Sequence, residues 1–72
     1  MTTTIDARGL SCPQPVLMTL EAIKKVAKGQ LTVLVDTETS KENVLRAAVS
    51  QGWQEAGVRE QEGEFQILLH KD

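Results

Sequence analysis

The chain has 72 residues, of which 40% are hydrophobic and 25% charged, with a net charge of −2 and one cysteine. That length makes one small domain with a marginal core. A lone cysteine excludes an internal disulfide, and the slightly negative balance argues against a general nucleic-acid binder.

Thr2 to Asp6 is short and rich in β-branched residues, which predicts an edge strand, broken by Gly9. This polar amino terminus lacks the apolar segment of a secretory signal. No apolar run further on approaches membrane-span length, and a free thiol fits a reducing compartment. The expected location is therefore cytoplasmic, with no membrane partner. From Val16 onward, Val16, Leu20, Ile23 and Ala27 recur at helical spacing, and Leu17 and Val26 widen the stripe. Glu21 and Lys25 form an i,i+4 pair on the other face. Lys24, Lys25 and Lys28 gather where the helix dipole favours cations, and Gly29 supplies a stop.

Leu31 to Val35 is a nearly continuous apolar run, as in a central strand. Thr39-Ser40-Lys41-Glu42 matches a capping box, with Thr39 as the cap and Glu42 three places on. Val44, Leu45, Ala48 and Val49 supply the buried face of the second helix, which Gly52 ends. Trp53 to Glu60 reads as an irregular strand, with Trp53 plugging the core beneath that helix. Glu62-Gly63 signals a turn, and Phe65, Ile67 and Leu69 alternate as strand residues do.

The predicted order is β-α-β-α-β-β. Strands joined through a helix pair in parallel with a right-handed crossover, and the last two form a hairpin. The expected class is α+β: a two-layer α/β sandwich, with a four-stranded mixed sheet and both helices on one face. The opposite face is left partly open. With one Trp, one Phe and no Tyr, it lacks the aromatic platform of an RNA-binding sheet.

The chemistry concentrates at Ser11-Cys12-Pro13-Gln14-Pro15, directly before the first helix. Unpaired N–H groups and the dipole at a helix amino terminus favour an anion, hence a thiolate. Pro13 and Pro15 suit the first turn, where a missing N–H costs nothing, and they shape the approach to Cys12. By chain order Cys12 follows the first strand, at the carboxyl end of a parallel pair, where α/β sheets bind ligands. Free cysteines also serve as small buried hydrophobes, and the residues alone leave both readings open. With one cysteine and one histidine, His70 at the far end of the chain, neither a dithiol motif nor a Cys-His pair is expected. Such a nucleophile suits relay of a group better than turnover of a substrate. Arg8 is a candidate for contacting a partner or steadying an anion, or else a surface ion pair with Asp6 or Asp36. Gly9 is expected to shape the turn, and Gln14 is a candidate for contacting a partner or an anion, or else a solvent-exposed residue of the helix start. Asp36 and Glu38 fall in the loop after the second strand, which should share the Cys12 end of the sheet. Two carboxylates make a poor metal site, so no metal is expected.

Asp6-Ala7-Arg8-Gly9-Leu10-Ser11-Cys12-Pro13-Gln14-Pro15-Val16 resembles the signature of the TusA-like (SirA-like) sulfur-carrier family, in which an Arg-Gly-Leu run precedes Cys-Pro-x-Pro. The stretch from Asp36 through Lys41-Glu42-Asn43-Val44, followed by Ser50-Gln51-Gly52-Trp53, resembles its YedF-like subgroup. The resemblance spans almost the whole chain. It implies one TusA-like domain over residues 1–72, with the same sandwich. It also implies that Cys12 accepts sulfane sulfur from a cysteine desulfurase or rhodanese-like donor and carries it as a persulfide to an acceptor protein. Family destinations include tRNA thiolation, molybdenum-cofactor work and sulfur oxidation. The implied activity is that of a sulfurtransferase-type carrier without turnover of its own. Donor and acceptor proteins are its partners; no cofactor is expected, no direct nucleic-acid contact, and a monomeric state. Two alternatives remain: a non-catalytic regulatory or interaction module, which would not need the thiol, and selenium delivery. Some family members carry a second domain, so the chain is either a stand-alone member or an excised domain.

Overall fold

The computed structural model describes residues 2–10, 13–26 and 28–71. Six elements follow in the expected order: β1 (Thr2–Asp6), α1 (Gln14–Lys25), β2 (Gly29–Val35), α2 (Glu38–Ser50), β3 (Gln54–Gln61) and β4 (Glu64–Lys71). The strands form one four-stranded sheet in the order β1-β2-β4-β3. β1 runs parallel to β2, with Ile5 opposite Val33. β4 lies antiparallel to β2, with Ile67 opposite Val33, and β3 pairs antiparallel with β4.

That register aligns every second residue of the sheet toward the helices. Ile5, Ala7, Leu31, Val33, Val35, Phe65, Ile67 and Leu69 form one buried cluster with Ile23 of α1, Val44 and Ala48 of α2, and Trp53. The other face carries the alternate residues, among them Thr4, Gln30 and Gln66, and nearly all of β3 is exposed. Glu62 and Gly63, both with positive φ, turn the hairpin from β3 into β4. Two such residues are the signature of the type I′ turn that matches strand twist. β3 is irregular, as expected: its register shifts between Glu55 and Gly57, leaving Ala56 as the extra residue.

The helix faces differ in detail from the predicted stripes. In α1 the buried residues are Pro15, Thr19 and Ile23, whereas Val16 and Leu20 are half-buried and Leu17 is exposed. A hydroxyl accounts for the rotation. Thr19 donates its Oγ1–H to the carbonyl of Pro15 at 2.9 Å, so it enters the core with its polar atom satisfied. Ala27 lies outside the described residues. The pair Lys25–Glu21 forms at 3.8 Å. In α2, Val44 and Ala48 are buried, Leu45 is half-buried, and Val49 is exposed.

The capping box also moves. Thr37, not Thr39, is the N-cap of α2: its backbone is extended and its side chain accepts from the Ser40 N–H at 3.1 Å. Thr39 already lies within the helix, so the capping pattern begins two residues earlier than the Thr39–Glu42 spacing suggests. Thr37→Ala is expected to cost about 1 kcal/mol in chemical denaturation, the usual worth of such a cap, and Thr39→Ala less than about 0.5 kcal/mol. Equal losses at the two positions would overturn the assignment.

Candidate functional site

The parallel pairing of β1 and β2 brings their carboxyl ends together. Beyond Asp6 the ladder continues by one bond, from the Ala7 N–H to the Leu34 carbonyl at 2.8 Å, with Ala7 fully buried. The chain then leaves the sheet through Arg8, Gly9 and Leu10 and enters α1 at Gln14. Ser11 and Cys12 lie outside the described residues. Connectivity makes Cys12 the residue just before the α1 N-cap, which is Pro13.

Both prolines hold the positions expected of them. Pro13 precedes the first helical residue, and its carbonyl accepts from the Leu17 N–H at 3.0 Å. Pro15 falls in the first turn and is fully buried, anchoring the helix start in the interior. No described side chain caps this end and no acidic residue occupies its first turn. With no acidic residue in that first turn, the positive end of the helix dipole is not offset there and favours an anion. Gln14 is exposed there, and exposed Leu10 and Leu17 flank the segment in sequence.

Gly9 adopts a φ of +78°, which glycine takes without strain. A Cβ at Gly9 would meet nothing within 4 Å, so the backbone conformation and not crowding sets the requirement. Its N–H donates to Asp36 Oδ2 at 2.8 Å. Asp36 directly follows β2, so its loop shares the end of the sheet with the segment leading to Cys12, as expected. Glu38 instead opens α2.

Arg8 is engaged on two sides. Its Nε and Nη2 donate to the two carboxylate oxygens of Asp6 at 2.9 and 2.8 Å, and its Nη1 donates to Glu64 at 3.2 Å. Its side chain stays 42% exposed, so the ion pairs themselves contribute little stability. The Asp6 partner was legible from a spacing of two residues. Glu64 was not, since nothing local links residues 56 apart; only the register that sets Phe65 opposite Val35 places β4's start beside this loop.

The Arg8 side-chain hydrogen bonds, and then its backbone N–H, lower the Asp6 carboxyl from an ordinary 3.8 to about 2. The same partners raise Arg8 further. A carboxyl depressed on folding binds fewer protons folded than unfolded between those two values, so its contribution is complete above pH 3.8 and lost as pH falls toward about 2. The urea midpoint of the wild type is therefore expected to fall more steeply across that window than that of Asp6→Asn. Parallel curves would remove the pair from acid sensitivity.

Among the described residues no group of three or more His, Cys, Asp or Glu gathers to hold a metal. A groove between β1 and α1, lined by Thr3, Ile5, Met18, Ala22, Lys25 and Val26, contains none of the described residues Arg8, Gly9, Leu10, Pro13 and Gln14. The segment with the candidate residues borders a shallower depression instead, where Pro13 and Val16 face Asn43, Arg46, Ala47 and Ser50 of α2.

The model of the sulfurtransferase TusA family matches residues 3–71. The chain belongs to that family. A putative sulfur carrier protein of Methanocaldococcus jannaschii is 34% identical over 68 residues, covering 93% of this chain and 91% of that protein. The sulfur carrier protein TusA of Pseudomonas entomophila is 29% identical over 69 residues, covering 94% and 86%. A putative sulfur carrier protein of Aquifex aeolicus matches more locally, at 46% identity over 35 residues that are 49% of this chain and 18% of that protein. The crystal structure of a SirA-like protein from Desulfitobacterium hafniense superposes with a TM-score of 0.86 at 34% identity, covering 97% of this chain and 96% of that one. The family resemblance read from the signature and the two-layer sandwich read from the element order are both borne out.

No helix among the described residues is long and apolar enough to cross a membrane.

Proposed function

We propose that this chain is a sulfur carrier that holds sulfane sulfur as a persulfide on Cys12. The observation that carries the reading is the family match over residues 3–71, which encloses the chain's one cysteine. Two full-length relatives bearing the name sulfur carrier support it. So does the first turn of α1, which carries no acidic residue and suits an anion.

In the loading step the Cys12 thiolate attacks the outer sulfur of a donor's persulfide. A new S–S bond forms on Cys12, the donor's S–S bond breaks, and the donor cysteine leaves as a thiolate, taking the electron pair. The proton of the outer sulfur stays with it and is lost to water when the carried persulfide ionises. Unloading is the same exchange with an acceptor's thiolate as the attacker. No net oxidation occurs in either direction. Each step needs a partner protein's sulfur within reach, so the carrier works with a donor protein and an acceptor protein.

Pro13, Pro15 and Gly9 shape the presentation of Cys12 in this reading. Gln14 and the unused donors of Arg8 meet the partner or the sulfur anion. Residues 1–72 act as one carrier domain, as a monomer, in the cytoplasm, where reductants keep Cys12 from forming disulfides.

Incubation with a cysteine desulfurase and cysteine, followed by intact-protein mass measurement, tests the proposal. One added sulfur atom, removable by a reducing thiol, is the expected result. An unchanged mass with desulfurase and rhodanese-type donors alike would refute it.

A further inference from the structure

The two edges of the sheet, β1 and β3, are built differently. β3 is blunted: a register shift interrupts it at Ala56, and it carries Glu55, Arg59 and Glu60. β1 has no such protection. Its pairing with β2 is unbroken, and Asp6 is its one charged residue, already tied by Arg8. The ladder also fixes where its backbone groups point. The Ala7 N–H donates to the Leu34 carbonyl, and Ile5 stands opposite Val33. Alternate residues of a strand bond to the same neighbour, so Thr3, Ile5 and Ala7 turn their amides toward β2. Those of Thr4 and Asp6 point away from it, and none of them meets a partner among the described residues.

Beside this edge lies the groove between β1 and α1, about 540 Å³ in volume. Met18, Ala22 and Val26, each half-buried, recur every four residues along its helix wall, and Thr3 and Ile5 line the strand wall. Glu21 and Lys25 on that wall answer each other at 3.8 Å. Every charge that lines the groove therefore has its counter-charge within the chain.

We propose that the free edge of β1 docks an extended peptide segment of a partner protein, which adds to the sheet as a fifth strand and lays alternate apolar side chains into the β1–α1 groove. Two matches define this occupant. Outward N–H and C=O groups along a strand are satisfied by another extended backbone. A wall whose charges are already balanced gains from apolar side chains and penalises a charged one. The proposal goes beyond the carrier reading and stands without it, since its test involves no sulfur.

The probe is a blocked peptide of alternating valine and threonine with a lysine at each end, titrated into isotope-labelled protein and followed by NMR. Saturable binding is expected below about 1 mM, with shifts confined to β1 and to the Met18, Ala22 and Val26 face, and with slowed amide exchange at Thr4 and Asp6. Methylating every second peptide nitrogen in one phase is expected to weaken binding at least about tenfold, and in the other phase to leave it within about threefold, because a strand turns only alternate amides to its neighbour. Thr4→Pro removes an outward N–H without touching the ladder to β2, and is expected to weaken binding of the unmodified peptide about tenfold. If circular dichroism shows that variant unfolded, the two methylated peptides decide alone. Equal affinity for both methylation phases, shifts centred on β3, or no saturation at about 1 mM would overturn the proposal. So would concentration-dependent dimerisation through β1 without peptide binding, which would give the edge to a second copy of this chain.

Discussion

Cys12→Ser is expected to accept no sulfur from any donor, with loading down at least about a thousandfold, while the fold is kept. The reason lies in the atom replaced. A serine hydroxyl stays protonated at neutral pH and is a weak nucleophile unless a base activates it. The single histidine, His70, sits on β4 in register with Gln30 at the amino end of β2, the end of the sheet opposite the Cys12 segment. No imidazole is therefore at hand to activate an oxygen. A thiolate needs only local electrostatics, and the first turn of α1, which carries no acidic residue, suits one. Intact-mass measurement after desulfurase treatment reads the loss directly. An undiminished mass gain in Cys12→Ser would locate the acceptor elsewhere. A variant that retains cellular function without any loading would favour the regulatory or interaction module.

Trp53→Ala is expected to be the most damaging change in the core. Trp53 is 1% exposed and sits directly after α2, where its N–H donates to the Ala48 carbonyl. Truncating a buried tryptophan costs about 3–5 kcal/mol. A domain of 72 residues has roughly 4–11 kcal/mol in total, so the variant is expected to melt at least about 15 °C lower or to be unfolded at 25 °C. Trp53→Phe makes an informative contrast. The indole Nε1 is buried and meets no hydrogen-bond partner among the described residues. Phenylalanine removes that unsatisfied donor along with part of the ring, so its cost is expected to stay below about 2 kcal/mol. Thermal melts of the three proteins decide. Equal losses for Phe and Ala would mean that the indole ring fills its site in a way the smaller ring cannot.

The elements most legible from sequence were those with strong local signals. β2 announced itself by an apolar run, β4 by alternation, the hairpin by Glu62-Gly63, and the entry to α1 by two prolines flanking Gln14. The misses share a cause: local pattern and tertiary placement disagreed. Thr39 and Glu42 satisfied the capping spacing, yet the end of β2 sets where α2 can begin, and Thr37 takes the role. Thr19 was not part of the predicted apolar stripe, but its hydroxyl finds a carbonyl within its own helix and the residue goes inside. At the candidate site, the Cys-Pro-x-Pro run and Gly9 were legible because turn chemistry is local. The ties from Asp36 and Glu64 were not, because they depend on strand register across distant parts of the chain.

The strand order has one further meaning for how the molecule is made. β4, the last of the six elements, occupies the middle of the sheet between β2 and β3. During synthesis β2 has only β1 beside it until the final strand emerges and slides into place. Such distant pairing is slow to form. Glu64, which reaches back to Arg8, arrives with that same strand. The nascent protein thus carries Arg8 and the loop after β1 from the start, but that loop acquires its tie to β4 only once translation has delivered the closing strand.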